Sequence, residues 1–354
     1  MKSILVSASI LAVSASGALA GGIERSGQSI GIIFEEGGFV ELSFGSVMPN
    51  VSGSLGGGAV PSGNMAADYL SLGLGVKQDI NDKLSFALIL DQPYGANVSY
   101  PGTFGVDPYP FAGTTAEIKS TAITAVGKYK VGERTSVIAG LRYQTMSGVA
   151  SIPLVGGYTL DVTGSGGFGY VVGAAYEIPD IALRVAVTYN SEITHNMTGT
   201  EFGALASDFD IVTPKSFNID FQSGVAADTL VFGSIRWVEW SQFDISPTNY
   251  PLNPLVSYAE DRTTYTLGVG RKFSEKFSGS VALGYEATAG GISSNLGPTD
   301  GFFSVQLGGK YSMNDMTISG GVRYIMIGDA TTSIGADFAD NSAIGIGVKV
   351  GYSF

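Results

Sequence analysis

His195 is the only histidine in the chain, so any acid–base chemistry of the Ser-His type would have to use it. The nearest upstream serine, Ser191, stands four residues away. On a strand that spacing puts two side chains on one face but about 13 Å apart, too far to share a proton. A nucleophilic hydroxyl would have to come from another strand, and the chain is read as a non-enzyme. Gly164-Ser165-Gly166-Gly167-Phe168-Gly169 spells G-x-G-x-x-G. A dinucleotide site needs that motif between a strand and a helix. Here a loop precedes it and an alternating strand follows, so it reads as loop glycine. Cysteine is absent, which removes disulfides and thiolate metal sites. Asp107, Asp208, Asp210, Glu260, Asp261, Asp300, Asp337 and Asp340 supply carboxylates that suit hard cations. Their spacing matches no ligand set, so neither a metal nor any other cofactor is expected.

Three arginines, Arg142, Arg236 and Arg323, fall near the middle of alternating segments at positions expected to face inward. A guanidinium in a partly dry interior can grip a ligand carboxylate through two parallel bonds. It can equally pair with an interior acid such as Glu286. Two connecting segments are unusually apolar. One holds Phe104, Tyr109, Pro110 and Phe111; the other holds Ile152, Leu154, Val155, Tyr158 and Leu160. Exposed apolar clusters mark binding surfaces. Phe104, Tyr109, Phe111, Leu154 and Tyr158 are therefore candidate substrate contacts, alongside the three arginines.

The elements that carry these residues are strands. From Ser342 the chain reads S-A-I-G-I-G-V-K-V-G-Y-S-F, with Ile344, Ile346, Val348, Val350, Tyr352 and Phe354 on one face. The other face is mostly glycine with Lys349, which suits a crowded, wet barrel interior rather than a soluble sheet. The pattern recurs upstream and predicts fourteen strands: 39–48, 68–79, 83–96, 114–130, 135–147, 165–177, 181–196, 212–225, 229–243, 260–272, 276–288, 300–311, 315–328 and 341–354. An even number is what a single-chain bacterial barrel requires. Connections alternate between short turns, such as Ala226-Ala227-Asp228, and long loops near 49–67, 97–113, 148–164, 197–211, 244–259, 289–299 and 329–340. Short turns belong on the periplasmic side, so both ends are expected there. Tyr129, Tyr176, Tyr311 and Tyr352 would line one membrane interface, and Tyr143, Tyr189, Tyr285 and Tyr324 the other.

Composition agrees. Glycine is 51 of 354 residues, charged residues are 14%, and no internal run approaches a spanning helix. A closed barrel is the other way to satisfy backbone in lipid. Lys2, the apolar run from Ile4 to Val13 and Ala18-Leu19-Ala20 form a secretory signal over 1–20. The net charge of −12 disfavours nucleic acid, which proteins bind by neutralising phosphates. Residues 21–38 do not alternate and could tuck into the lumen. Asp91-Gln92-Pro93-Tyr94-Gly95-Ala96 interrupts the third strand, because proline cannot donate to a ladder.

Together these features resemble the long-chain fatty acid transporter (FadL) family of Gram-negative outer membranes. The resemblance is carried by G-G-I-E-R-S-G-Q at Gly21 to Gln28, D-Q-P-Y-G-A at Asp91 to Ala96, D-T-L-V-F-G-S-I-R-W-V-E-W-S-Q-F at Asp228 to Phe243, S-N-L-G-P-T-D-G-F at Ser294 to Phe302 and G-G-V-R-Y-I at Gly320 to Ile325. It implies an all-β, 14-stranded antiparallel transmembrane barrel over 39–354 with an N-terminal hatch over 21–38. It also implies a kinked third strand whose Pro93, Tyr94 and Gly95 open sideways. The family's hatch is longer and carries Asn-Pro-Ala, which 21–38 lacks, so a shortened hatch is expected. The implied activity is passive uptake of hydrophobic molecules, long-chain fatty acids first, with aromatic hydrocarbons as the alternative within the family. The expected partners are a fatty acid or detergent-like ligand, outer-membrane lipid and lipopolysaccharide, around a monomer. A general diffusion porin, an adhesive barrel and a membrane lipase using His195 are the competing classes.

Overall fold

The structure, a computed structural model, describes residues 22–354; the expected signal over 1–20 lies outside them. Fourteen antiparallel strands form one closed wall. They are β1 (Phe39–Asn50), β2 (Tyr69–Asp79), β3 in two pieces (Leu84–Asp91 and Gly95–Ser99), β4 (Thr115–Lys130) and β5 (Thr135–Ile152). Then come β6 (Tyr158–Gly164 and Gly167–Ile178), β7 (Leu183–Asn190 and Ile193–Glu201), β8 (Leu205–Thr213 and Ser216–Ala226) and β9 (Thr229–Val238). The wall finishes with β10 (Arg262–Lys272), β11 (Phe277–Glu286), β12 (Phe302–Met313), β13 (Met316–Ile327) and β14 (Asn341–Ser353). β14 pairs with β13 on one side and with β1 on the other, where Leu42 faces Val350 and Phe44 faces Val348. That last pairing closes the sheet and leaves no long edge to aggregate.

The alternation read from the sequence is the alternation of the wall. Ile344, Ile346, Val348, Val350 and Tyr352 are exposed on its outer face. Tyr129, Tyr176, Tyr311 and Tyr352 are exposed beside the short turns, and Tyr143, Tyr285 and Tyr324 are exposed nearer the long loops. The turns at the first end are tight. Asn314, between β12 and β13, sits at φ +51°, a left-handed conformation that its short polar side chain tolerates.

Four expectations need correction. Segments 148–164 and 197–211 are not loops, because β5, β6, β7 and β8 run on past the expected interface as extended hairpins. Tyr158, Leu160 and Val162 alternate with polar residues there and pair along β5 and β7. The segment 97–113 begins with strand, since β3 continues to Ser99. β9 stops at Val238 rather than 243, because Trp240–Gln242 turns inward as a short 3-10 helix. Of the motif read as loop glycine, only Ser165 and Gly166 lie outside strands; Gly164 ends the first piece of β6, and Gly167 and Gly169 belong to its second piece, as the strand expected over 165–177 has them.

Strands β6, β7 and β8 are each interrupted at a common level. Between β6 and β7 the ladder runs up to Val171 opposite Asn190 and resumes at Gly164 opposite Met197. The edges of this interval are the bonds Ser191 N to Tyr170 O (3.0 Å) and Ser165 N to Asn196 O (2.9 Å). Between β7 and β8 the break falls at Pro214, which has no N–H to give.

Residues 22–38 lie inside the wall in two layers. The lower layer is a 3-10 turn, Gly31–Phe34, whose Ile32 and Ile33 pack with Ile30 against Ala87, Val126, Ile138, Val171, Ala175 and Ala186. The small alanines on the wall leave room for the large isoleucines. Phe34 is held between two cations, Lys128 at 4.7 Å and Arg184 at 4.5 Å. Lys77 ties down the far end by donating to Gly37 O (2.9 Å) and Asp79 (2.6 Å). The upper layer is polar and forms the floor of the site.

Candidate functional site

Above that floor lies an apolar cavity of about 1080 Å³, its open mouth included. Its wall is built from inward-facing positions of strands β4 to β8, among them Ile118, Met146, Leu160, Val162, Met197 and Ile211. Its roof comes from the connections after β9 and β11, through Ile245, Leu255, Val256, Tyr258 and Leu296. Gly22, Ile23 and Arg25 line it from below. Its lining is mostly apolar with a few polar groups, the composition of sites that take hydrophobic molecules. The unbranched thioethers of Met65, Met146 and Met197 adapt to the shape of such molecules.

The cavity borders a defect in the wall, through Tyr69 of β2 and Ala96 of β3. β3 pairs with β4 up to Asp91 opposite Ala122 and again from Gly95 opposite Lys119. Gln92-Pro93-Tyr94 therefore faces only Ser120 and Thr121, which is a bulge. The Ser120 hydroxyl patches it, accepting from Tyr94 N (2.8 Å) and donating to Tyr94 O (2.7 Å). On the other side β2 and β3 part after Leu74 and Leu90 and meet again only at Ala66 and Val98. Along this interval Leu72 N donates to the side chain of Gln92 (3.2 Å).

The kinked piece of β3 pairs instead with the N-terminal segment. Glu24 and Tyr94 form an antiparallel bridge, with Arg25 N donating to Pro93 O (2.7 Å) and Gly95 N to Ile23 O (2.8 Å). The backbone groups that the kink takes from the wall are thus satisfied by 22–38. Tyr94 is buried in the lumen, where it accepts from Gln28 (2.8 Å) and meets Trp240 edge-on at 6.0 Å.

The arginines expected to hold ligand are committed elsewhere. Arg236 Nε donates to both carboxylate oxygens of Glu24 (3.0 and 3.1 Å), its Nη2 also reaches Glu24, and its Nη1 reaches Ser216 (3.0 Å) and Asn218 (2.7 Å). Arg142 donates to Gln28 (2.6 Å), Thr124 (2.8 Å) and Asn190 (3.2 Å). Both fasten residues 22–38 and neither lines the cavity. Arg323 lies over the Phe302 ring at 5.1 Å and donates to Ser304 (3.0 Å), also outside the lining. Glu286, offered as an arginine partner, accepts from Thr264 (2.7 Å) and stands within electrostatic reach of Arg323 and Arg262.

The apolar candidates behave differently too. Tyr109 is buried and stacks on Tyr100 at 5.4 Å; Phe111 packs on the same ring at 5.9 Å. Tyr158 is buried and donates to Glu201 (2.9 Å), which also accepts from Asn249 N (2.9 Å). Phe104 and Leu154 are exposed. None of the five lines the cavity. Tyr109, Phe111 and Tyr158 belong to the same buried apolar cluster as Met146, Leu160 and Met197 of the cavity wall. His195 is buried against Gln144 (3.1 Å) and the Ser165 carbonyl (3.2 Å), with no serine hydroxyl among its bonds.

Arg25 was missed in the sequence. Its guanidinium lies 4.2 Å over the Tyr69 ring of β2 and donates to Asn97 of β3 (2.8 Å). Burial holds its pKa below the ordinary guanidinium value, opposed by the nearby Tyr69 and Glu117. The available signal was the charge in a segment otherwise free to be apolar.

With a kinked third strand, an internal segment and an apolar cavity established, the similarities to known proteins take on meaning. The family described as outer membrane protein transport protein (OMPP1/FadL/TodX) matches residues 46–333. The chain belongs to this family. It is a family of outer-membrane channels for hydrophobic molecules, and this chain is an outer-membrane transport barrel. Among solved structures, a FadL homologue of Pseudomonas aeruginosa superposes with a TM-score of 0.79 at 15% identity, over 97% of this chain and 98% of that one. The toluene transporter TodX of P. putida gives 0.66 at 14% identity, over 90% and 91%. The toluene transporter TbuX of Ralstonia pickettii gives 0.61 at 14% identity, over 91% and 90%. No curated protein sequence matches the chain. At such identities the FadL/TodX likeness speaks for the fold.

Proposed function

We propose that this FadL/TodX-family channel takes up long-chain fatty acids by diffusion and releases them sideways into the membrane. The observation that carries this is that Tyr69 of β2 and Ala96 and Asn97 of β3, which flank the interval where those strands are unpaired, line the apolar cavity, above a lumen that residues 22–38 fill. A ligand in the cavity meets packed protein below and an unpaired wall beside it. The route of least obstruction leads through the Pro93–Gly95 kink into lipid. Each methylene that enters the cavity contributes about 0.8 kcal/mol by leaving water. The ligand's own gradient then suffices, without nucleotide, metal or proton relay.

In this reading residues 21–38 act as a hatch and the short turns face the periplasm. The exposed Phe104 and Leu154 make first contact with ligand, while Tyr109, Phe111 and Tyr158 shape the loops that guide it. The barrel works as a monomer surrounded by lipid and lipopolysaccharide. A monoaromatic hydrocarbon is the second reading, favoured by the rings of Tyr69, Phe209 and Tyr258 in the lining. Ligand that co-purifies with the protein, identified by mass spectrometry, separates the two. The lateral route is tested by Ser71→Trp, which places a bulky ring in the unpaired stretch of β2. Uptake of labelled palmitate by cells lacking another route should fall at least tenfold while the barrel stays folded. Uptake at the wild-type rate would refute the lateral exit.

A further inference from the structure

We propose that His195 is a positioning residue for the cavity: it latches the upper piece of β7 across a break in the wall, and so sets the girth of ligand that the channel accepts. This inference rests on the reading of the cavity as the ligand chamber.

His195 is fully buried in the upper piece of β7, and its two ring nitrogens reach two other strands. Nδ1 stands 3.2 Å from the Ser165 carbonyl in the break of β6, and Nε2 stands 3.1 Å from the Gln144 amide nitrogen on β5. A carbonyl only accepts, so Nδ1 carries the proton and donates. Nε2 then holds a lone pair and accepts from the Gln144 amide. The neutral ring thus uses both nitrogens at once. β6 lies between β5 and β7, and the ring crosses it at Gly167, where a Cβ would stand 3.5 Å from His195 Cε1. Glycine at 167 is what lets the ring reach Gln144.

The latch lies where the wall lacks a ladder. β6 and β7 are paired up to Val171 opposite Asn190 and again from Gly164 opposite Met197, with no change of register. Between these points side chains stand in for backbone. Tyr170 N donates to the Ser191 hydroxyl (2.9 Å), Asn196 N to the Ser165 hydroxyl (3.3 Å), and the His195 ring to the Ser165 carbonyl. Of these three ties, that of His195 is the one that continues to β5.

His195 does not line the cavity, and it acts through neighbours that do. Met197 follows it by two residues, on the same face of β7 and roughly 6.5 Å further up. Met146 stands in the same relation to Gln144 on β5. Ile211 of β8 is paired with His195, and Phe209 with Met197. Met146, Met197, Phe209 and Ile211 all line the cavity. The bond from His195 to Gln144 is therefore a strut between two strands, one step below the side chains that meet the ligand. With the strut in place those side chains keep their spacing, and a slender chain fits better than a fused-ring body. Without it the upper pieces of β7 and β8 can move away from β5, and the chamber widens.

The test uses the full mature barrel in lipid nanodiscs, with palmitate and a pyrene-tipped fatty acid as probes of the same head group and different girth. The wild type should bind palmitate at least tenfold more tightly than the pyrene-tipped acid. In His195→Ala that ratio should fall at least threefold, because the bulky probe gains. His195→Gln, whose side-chain oxygen can accept from Gln144, should recover part of the wild-type ratio; no recovery counts against the strut. A merely structural role would weaken both probes alike and leave the ratio where it is. An unchanged ratio in His195→Ala, or a wild-type ratio near one, overturns the assignment while leaving the hydrophobic channel intact. Failure of the wild type to bind either probe overturns the channel reading itself, and the inference with it. Heat-modifiable mobility on gels confirms that each variant is folded. Should His195→Ala not fold, Gln144→Leu cuts the same strut from the other strand. It should lower the ratio too, and an unchanged or raised ratio counts against the proposal.

Discussion

Glu24 and Arg236 stand 212 positions apart and meet inside the barrel, with Ser216 and Asn218 taking the remaining guanidinium hydrogens. Removing a charge from water is costly, and the attraction of its partner repays that cost only when the geometry and the surrounding hydrogen bonds are complete. Here they are complete, so the pair fixes where residues 22–28 lie more than it adds stability. Breaking it on one side strands the other charge. Arg236→Met is expected to cost about 3 kcal/mol, the low end for a buried pair because Glu24 keeps some exposure. The double variant with Glu24→Gln should recover part of the loss. Urea unfolding in lipid vesicles, followed by tryptophan fluorescence, checks both; additive losses would show that the two groups do not couple. The sequence marked Arg236 as an inward cation and named two possible partners for it, a ligand or an interior acid. The acid is correct in kind, but its identity depends on how a segment without periodicity threads the lumen, and no pattern in 21–38 encodes that path. Arg25 was hidden for the same reason.

At the level of strands, period-two alternation made the number and facing of the wall strands legible, because a lipid-facing row and a glycine-rich inner row leave little freedom of register, while the upper ends of β5 to β8, beyond the lipid, were not. The kink was legible as well, through Pro93 and Gly95. The break shared by β6, β7 and β8 was not. Gly164 to Gly169 reads as loop because glycine is equally at home in turns and in close approaches of backbone. The structure shows the second case. A Cβ on Gly167 would fall 2.6 Å from Thr194 O and against the Ile193 side chain, so β7 passes close along the inner side of β6 there. On the outer face glycine is mere spacing, as at Gly320, which shares the row of the exposed Ile318 and Val322 and where the nearest atom to an added Cβ is Gly347 O at 3.6 Å. Gly167→Ala is therefore expected to destabilise the barrel by about 1–3 kcal/mol through overpacking. Gly320→Ala should change stability by no more than about 0.5 kcal/mol. Denaturant midpoints of the two variants in the same lipid decide the matter, and equal midpoints would mean that the approach of β7 is soft.

At the level of the whole molecule, the question is what keeps a fourteen-stranded barrel shut. The inner face of the wall is built from small residues, Ala87, Ala175 and Ala186 among them, and would enclose a wide aqueous lumen if nothing else entered it. A general porin has that form. In this chain the lumen is occupied twice over, by the polar layer around Glu24, Gln28 and Tyr94 and by the apolar layer of Ile30, Ile32 and Ile33. Both layers come from the segment before β1, and the rest of the barrel supplies only their sockets. The barrier to ions should therefore reside in 22–38 and not in the outer loops, although those loops also pack tightly through Tyr100, Tyr109 and Phe111. Removing residues 22–38 while keeping β1 onward should turn a nearly silent barrel into one with steady, ohmic conductance across a planar bilayer. It should also expose Arg142 and Arg236 to water and make the open pore favour anions. If the shortened barrel stays silent, the loops are the barrier, and a hatch that moves cannot be what admits the ligand to the wall.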